Sequence, residues 1–241
     1  MGVNKAIILA AGRGTRLGSL TLDRPKPMVE VAGKPVLEHI LTGLKEAGLS
    51  DFLFVVGYRK EAIEEYFQDG DRWSVSVSYV TQEVPTGTGA ALRFGEDFAD
   101  DEPFVMCYAD ILTDWRHYRS LIGNYAGKPC AAIIGINPGD PSSGAAAFHE
   151  NGRLLGVKEK PKPGEPTSSW NLAGVSLYSF AIWPELAALK PSPRGEYEIT
   201  DAISGLIESG LEVRVEEMDG FWSDVGTPDA LRGAETVWGG T

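Results

Sequence analysis

Apolar stretches of strand length alternate with amphipathic stretches of helix length through the first half of the chain. Strands are predicted over 5–10, 52–56, 75–80, 104–109 and 131–136. Helices are predicted over 35–48, 60–67, 87–98 and 115–125. This alternation is typical of a mainly parallel sheet with helices on both faces, so we expect an α/β, Rossmann-like fold.

Beyond residue 137 the pattern becomes richer in strands, which predicts that the sheet is mixed. Strands are predicted over 145–149, 154–159, 173–180 and 212–215, and helices over 200–209 and 228–238. With 241 residues, we expect a single domain over 1–241, divided into halves of about 1–136 and 137–241.

A glycine loop follows the first predicted strand. Gly12 and Gly14 allow a tight turn with exposed backbone N–H groups, which suits phosphate oxygens. Arg13, Arg16 and Lys26 add positive charge, and Arg16 and Lys26 are placed to face the phosphates of a nucleoside triphosphate. A turn that binds no ligand stays open as the alternative, because a short glycine pattern is a weak signal.

Two common phosphate loops do not match this pattern. A Walker loop needs Gly-Lys-Ser/Thr, whereas Gly14 is followed by Thr15 and Arg16. A dinucleotide fingerprint needs a third glycine, and Leu17 stands in that place.

The charge balance separates this segment from the rest of the chain. The net charge is −12, which argues against a nucleic-acid partner. Residues 13–34 nevertheless hold five Lys or Arg and two acidic residues, as expected of a small-anion site.

Composition bounds the protein class. Hydrophobic residues make up 43% and charged residues 23%, as in globular proteins, and no apolar run is as long as a membrane span. The N-terminus lacks the pattern of a signal peptide, so we expect a cytoplasmic protein with no membrane partner.

Cys107 and Cys130 stand in apolar runs and are predicted to be buried, unbridged thiols.

Further motifs follow the glycine loop in order along nearly the whole chain. They are Arg24-Pro25-Lys26-Pro27-Met28, Gly87-Thr88-Gly89, Asp110, Glu159-Lys160-Pro161, GEYEITD at 195–201 and WSDVGT at 222–227. Together with 7–12 they resemble the signature of the sugar-1-phosphate nucleotidylyltransferases (nucleotide-sugar pyrophosphorylases), in their short monofunctional form. The resemblance implies the nucleotide-diphospho-sugar transferase (GT-A-like) fold, with a nucleotide-binding half at 1–136 and a sugar-phosphate-binding half at 137–241.

The resemblance also implies a reaction and a set of site residues. An NTP and a sugar 1-phosphate would give an NDP-sugar and pyrophosphate by Mg²⁺-assisted in-line attack, with Arg16, Lys26, Asp110 and Asp224 as catalytic residues. The metal would be held by Asp110 and Asp224. The implied nucleotide-binding residues are Leu9, Ala11, Gly12, Gly14, Thr15, Arg16, Lys26, Gln82, Gly87 and Thr88. The implied sugar-phosphate-binding residues are Glu159, Lys160, Gly174 and Glu198.

The identity of the substrates is less closely specified. An amide such as that of Gln82 can pair with the edge of a pyrimidine, which favours UTP or dTTP, with GTP next. The strand Asn171-Leu172-Ala173-Gly174 departs from the commoner family versions and leaves the sugar open, and Ala109 stands where the family usually has glycine. Asp110 could instead cap the following helix, although Asp114 fits that role better.

Two other functions remain open at this level. One is a GT-A-type glycosyltransferase that uses an NDP-sugar, although Asp110 and Asp114 are not spaced as the Asp-x-Asp of such enzymes. The other is a non-catalytic subunit that binds nucleotide-sugar and regulates a partner. Homo-oligomer formation is also left open.

Overall fold

The computed structural model describes residues 2–12 and 14–238, without the side chains of Thr15, Ser19 and Ser143. The strands are β1 (Lys5–Ala10), β2 (Glu30–Val31), β3 (Lys34–Pro35), β4 (Asp51–Val56), β5 (Ser76–Thr81), β6 (Phe104–Tyr108), β7 (Ile111–Thr113), β8 (Ala132–Pro138), β9 (Ala145–Glu150), β10 (Arg153–Glu159), β11 (Trp170–Tyr178), β12 (Val213–Glu217) and β13 (Trp222–Asp224). The helices are α1 (Val36–Glu46), α2 (Lys60–Phe67), α3 (Thr88–Arg93), α4 (Glu96–Ala99), α5 (Trp115–Gly127), α6 (Ile182–Ala188), α7 (Ile199–Glu208) and α8 (Pro228–Trp238).

One central sheet runs through the described residues in the order β5-β4-β1-β6-β11-β8-β12-β10-β9. Strands β5, β4, β1 and β6 are parallel, as are β8 and β12. Strand β11 belongs to the second predicted half and is antiparallel to both β6 and β8, which lie mainly in the first, so the two halves share one sheet. The mixed α/β sheet predicted from the sequence is confirmed.

Alternate residues of β1 show how the sheet is buried on both faces. Ile8 belongs to a core that includes Leu37 and Leu41 of α1, whereas Ile7 belongs to a second core that includes Leu186 of α6 and Leu206 of α7. A continuous apolar run is the expected pattern for a strand covered by helices on both sides. The carboxyl ends of the parallel strands are thereby left as the place where polar groups can meet.

Most predicted elements are present with ends shifted by a few residues, and one predicted helix is divided into two. The helix predicted over 87–98 is divided into α3 and α4, with Gly95 between them. A Cβ at Gly95 would clash with the Cδ1 atom of Ile7, so the chain passes close to β1 at the point where the helix is divided. The sequence pattern also missed α6, because 182–188 lies directly after a long apolar strand.

The two cysteines differ in their surroundings. Cys107 is buried in β6 as predicted, and both thiols are free. Cys130 is half-buried rather than buried, and its Sγ lies 3.3 Å from Nε of Arg214. The expectation of a buried thiol at this position is therefore wrong, because the chain has not yet entered β8.

Candidate active site

A cleft of about 980 Å³ lies at the carboxyl ends of β1 and β6 and extends across β11 toward β10. Apart from Thr15, whose side chain lies outside the described part, the predicted site residues all line it. They are Leu9, Ala11, Gly12, Gly14, Arg16, Lys26, Gln82, Gly87, Thr88, Asp110, Glu159, Lys160, Gly174, Glu198 and Asp224. Residues more than 200 positions apart in the sequence thus share one cavity.

Lys26 lies between two carboxylates at one end of this cleft. Its Nζ atom contacts Oδ2 of Asp110 and is 3.1 Å from Oδ1 of Asp224. Arg16 approaches the other oxygen of Asp224, with 3.4 Å between Nη2 and Oδ2. The Lys26 side chain is only 9% exposed, so its ammonium group is largely removed from water. Two cations and two carboxylates therefore balance one another here.

A short ribbon of two strands brings Asp224 to Asp110. In the pairing of β13 with β7, Asp224 is opposite Ile111, and the backbone N–H of Val225 donates to the Asp110 carbonyl over 2.9 Å. Trp222 anchors β13 to the central sheet, because its Nε1–H donates to the carbonyl of Ala173 over 2.8 Å. The sequence pattern had not predicted this ribbon.

Gly226 completes the turn behind the carboxylates. A Cβ atom at this position would lie 2.7 Å from Oδ1 of Asp224 and 2.9 Å from Nη2 of Arg16. A larger residue would therefore displace the acidic side chain from its cationic neighbours.

Asp114, and not Asp110, caps the N-terminus of α5. The backbone N–H of Arg116, in the first turn of α5, donates to Oδ1 of Asp114 over 2.9 Å. Asp110 precedes β7 and lines the cleft, so its carboxylate can contact a ligand bound there.

The segment from Gln82 to Thr88 forms another wall of the cleft. Gln82 is 5% exposed, and Nε2 donates a long hydrogen bond of 3.5 Å to the Gly87 carbonyl. Gly87 has a φ of 120°, and a Cβ there would clash with the backbone of Tyr197. Tyr197 holds the segment from the other side, because its N–H donates to the Thr86 carbonyl and its own carbonyl accepts from Gly89, both over 2.8 Å.

Glu159, Lys160 and Glu198 lie at the opposite end, where Arg194 joins them. Arg194 Nη1 is 3.5 Å from Oε1 of Glu159, and Nη2 is 3.1 Å from Oε1 of Glu198. Lys160 Nζ is 4.0 Å from Oε1 of Glu159. Sequence reasoning missed Arg194, although it directly precedes the 195–201 motif and a cation beside that motif was the available signal.

Burial governs the ionisation of Glu159. Its pKa is raised, first by removal of the carboxylate from water and then by the negative charge of Glu198. Lys160, Arg194 and a hydrogen bond from Thr200 act in the opposite direction without cancelling the rise. A carboxyl group held in this way can accept a hydrogen bond from a ligand hydroxyl that replaces the lost water.

Several other cleft residues were not among the predicted site residues. Tyr108 at the end of β6 has a phenol whose pKa is raised by burial, so it is a neutral group. The cavity is also lined by Asn137, Asn171, Thr200 and Trp222, of which Thr200 and Trp222 stand inside the 195–201 and 222–227 motifs. They come from strands and a helix whose side-chain directions become known only with the sheet register.

The donor atoms around Asp110 and Asp224 fit a hard cation. Among the described residues no group of three or more His, Cys, Asp or Glu side chains converges on a metal position. Mg²⁺, however, is commonly bound by one or two carboxylates together with substrate phosphates. Asp110 and Asp224 are the residues that would hold it.

Comparison with known proteins identifies the family. A model of the nucleotidyl transferase family matches residues 5–237. The chain belongs to this family. It is 34% identical over 239 residues to the UTP–glucose-1-phosphate uridylyltransferase AglF of Haloferax volcanii, a match that covers 96% of this chain and 95% of AglF.

Other relatives of this chain are longer. A glucose-1-phosphate thymidylyltransferase of Streptomyces griseus is 38% identical over 223 residues, which are 92% of this chain but 62% of that protein. The chain thus spans about three fifths of the length of such relatives. A solved Bacillus anthracis structure in complex with sucrose, described as a glucose-1-phosphate thymidylyltransferase, has a TM-score of 0.90 at 29% identity and covers 99% of this chain and 96% of its own.

No helix of the described residues is both long and apolar enough to cross a bilayer.

Proposed function

We propose that this nucleotidyl transferase transfers a nucleotidyl group from an NTP to a sugar 1-phosphate, releasing pyrophosphate. One observation carries the proposal: a single cleft holds the Lys26–Asp110–Asp224 cluster at one end and the Glu159–Lys160–Arg194 cluster at the other. Two relatives are named as a glucose-1-phosphate thymidylyltransferase and a UTP–glucose-1-phosphate uridylyltransferase, and these names support the same reaction class.

The nucleotide occupies the end formed by the glycine loop. The turn at Gly12 and Gly14 follows β1, and backbone N–H groups in such turns bind phosphate oxygens. Arg16 and Lys26 place two positive charges beside this turn, with Lys26 nearly excluded from solvent. Their electrostatic effect on a triphosphate is strengthened because little water screens it.

The sugar 1-phosphate occupies the opposite end. Lys160 and Arg194 supply positive charge for its phosphate, and Glu159 offers a carboxylate to a sugar hydroxyl. A phosphate oxygen then attacks the α-phosphorus of the NTP, while the bond to pyrophosphate breaks on the opposite side. Since the second phosphate pKa is about 6, this nucleophile is ionised near neutral pH and needs no general base.

Catalysis consists of positioning two anions and neutralising the charge that develops between them. Arg16 and Lys26 stabilise charge on the triphosphate and the leaving pyrophosphate. Mg²⁺ held by Asp110 and Asp224 would supply further neutralisation of the phosphate oxygens when bound. The Lys26 ammonium, by contacting both carboxylates, keeps them close together in the free protein.

The base pocket is formed by the Gln82–Thr88 segment. The buried Gln82 amide offers a donor and an acceptor to the edge of a base, which supports UTP or dTTP as the preferred donor, with GTP next. Gly87 and Tyr197 fix the segment against the α7 side of the cleft.

The test is pyrophosphate release with Mg²⁺ from a panel of four NTPs and dTTP combined with several hexose 1-phosphates. We expect release that depends on both substrates, with NDP-sugar as the second product. Transfer of sugar from an NDP-sugar without pyrophosphate would indicate the glycosyltransferase alternative. Binding of nucleotide-sugar without turnover of any pair would indicate a regulatory subunit.

A further inference from the structure

Two asparagines face each other across neighbouring strands in the sugar half of the cleft. Asn137 in β8 is directly opposite Asn171 in the antiparallel strand β11. Directly opposed residues project from the same face of a sheet, with Cβ atoms roughly 5 Å apart. Both residues line the cavity, so two amide groups are presented together at this position.

The orientation of the Asn171 amide is set by the backbone. Its Oδ1 atom accepts a hydrogen bond of 3.0 Å from the N–H of Ala145. Because that backbone group can only donate, Oδ1 and Nδ2 are assigned without ambiguity. No described residue accepts a hydrogen bond from Nδ2, which leaves its two donor hydrogens to a ligand. Ala145 is itself paired with Glu159, so this amide adjoins the proposed sugar-phosphate site.

Asn137 contributes the complementary group. The residue is 6% exposed, and its buried Oδ1 atom has no hydrogen-bond partner among the described residues. Within the described part of the chain, its Nδ2 atom makes only a long contact of 3.5 Å with the carbonyl of the adjacent Pro138. A buried acceptor without a donor is unfavourable, and a ligand that donates to it removes that cost.

A hydroxyl group can satisfy both amides from one oxygen atom, because it donates and accepts at once. An acylamino group matches the pair less well, since the N–H and C=O of its trans amide point in opposite directions. We infer that Asn137 and Asn171 together recognise one free ring hydroxyl of the hexose 1-phosphate and so select the sugar. This inference rests on the proposed function, whose sugar-phosphate site it specifies further.

The test compares the best hexose 1-phosphate with its monodeoxy analogues in the wild-type protein and in two variants. Asn171→Asp keeps the acceptor for Ala145 N–H and removes the free donor, whereas Asn137→Leu replaces the unpartnered acceptor with an apolar group of the same branched shape. In the wild type, we expect one analogue to lose about 10- to 100-fold in kcat/KM. In each variant, the ratio of kcat/KM for the parent sugar phosphate to that for the analogue should fall at least about threefold toward one, because the hydroxyl has lost one of its two partners.

A structural role is separated by two further measurements. Asn137→Leu should unfold at the same or a higher temperature than the wild type, because the buried acceptor is gone, while discrimination is lost. The matched control is Tyr178→Phe, which removes a buried hydroxyl outside the cleft lining and should keep every wild-type ratio.

Calorimetric measurement of the binding of the same sugar phosphates tests the selection by Asn137 and Asn171 separately from the proposed reaction. Turnover with unchanged ratios in both asparagine variants overturns the selection by Asn137 and Asn171 and leaves the reaction intact. Hydroxyl-dependent binding that the variants abolish, without pyrophosphate release from any pair, supports the selection and overturns the reaction. Equal binding of all analogues by the wild type overturns the selection.

Discussion

The ammonium of Lys26 lies 3.1 Å from a carboxylate oxygen of Asp224, although 198 positions separate the two residues. The same ammonium contacts Asp110, so one cation holds together two acids that come from different strands. The charges of the cluster are therefore balanced before any substrate enters. Substrate phosphates must then compete for the cations, and a bound metal ion must compete for the acids.

Replacing Lys26 with methionine tests this balance. The two carboxylates would face each other with less compensation, and we expect the free energy of unfolding to fall by about 2 kcal/mol, between the values typical of surface and buried pairs. Millimolar Mg²⁺ should restore more stability to Lys26→Met than to the wild type, as measured by thermal unfolding. The control is Lys45→Met on the exposed face of α1. We expect its free energy of unfolding to stay within about 0.5 kcal/mol of the wild-type value, and Mg²⁺ to stabilise it no more than the wild type. Equal Mg²⁺ effects on both variants would contradict the role of Lys26.

Asp110→Asn removes one acid without changing its shape. We expect turnover to fall by about two to three orders of magnitude, as for loss of one electrostatic stabiliser, with the circular dichroism spectrum unchanged. Asp114→Asn is the matched control four positions away. Asparagine also caps helices well, so this variant should keep wild-type turnover and stability. An Asp110→Asn enzyme with wild-type turnover would exclude this residue from the mechanism.

Gly87→Ala tests the wall that supports the base. The positive φ and the approach of the Tyr197 backbone leave no space for a methyl group, so the Gln82–Thr88 segment must shift. We expect a loss of about 1–3 kcal/mol in stability and a raised KM for the NTP, with a smaller effect on the KM for sugar phosphate. Gly123→Ala is the comparison, since open space surrounds this helical glycine. Alanine at this position should raise the free energy of unfolding by as much as about 1 kcal/mol. A KM for NTP unchanged by Gly87→Ala would argue against this segment as the base pocket.

The raised pKa of Glu159 makes a prediction for stability as a function of pH. Above the usual carboxyl pKa of 4.5, the folded protein still holds a proton that the unfolded chain has released. The free energy of unfolding contributed by this group therefore falls as the pH rises through that window. Glu159→Gln lacks this titration, so its stability relative to the wild type should increase from pH 4.5 upward and then level off, as measured by urea unfolding.

Glu212→Gln is the counterpart for which the change in stability with pH should have the opposite sign. A hydrogen bond from Lys128 lowers the pKa of the partly exposed Glu212, so the wild type should gain stability relative to this variant as the pH rises. If Glu159→Gln showed the same direction of change as Glu212→Gln, burial would not dominate the ionisation of Glu159.

The sequence by itself determined the elements and the chemistry that the chain carries. Continuous apolar runs such as Ile7 and Ile8 predicted buried strands, because only a strand covered on both faces has no polar alternation. The glycines and cations of 12–26 indicated an anion site, since they stand out against an acidic chain. These are local properties, and they can be read without knowledge of how strands pair.

The tertiary structure decided which of these groups meet. Asp224 reaches Lys26 only through the β7–β13 ribbon and the Trp222 hydrogen bond, and no local pattern predicts a pairing between residues about 110 positions apart. The opposition of Asn137 and Asn171 depends on the register of two antiparallel strands, where a shift of one residue reverses the face of every side chain. The close approach of Gly95 to Ile7, where the predicted 87–98 helix is divided, likewise depends on another element of the fold. Long-range packing, and not residue type, set these relationships.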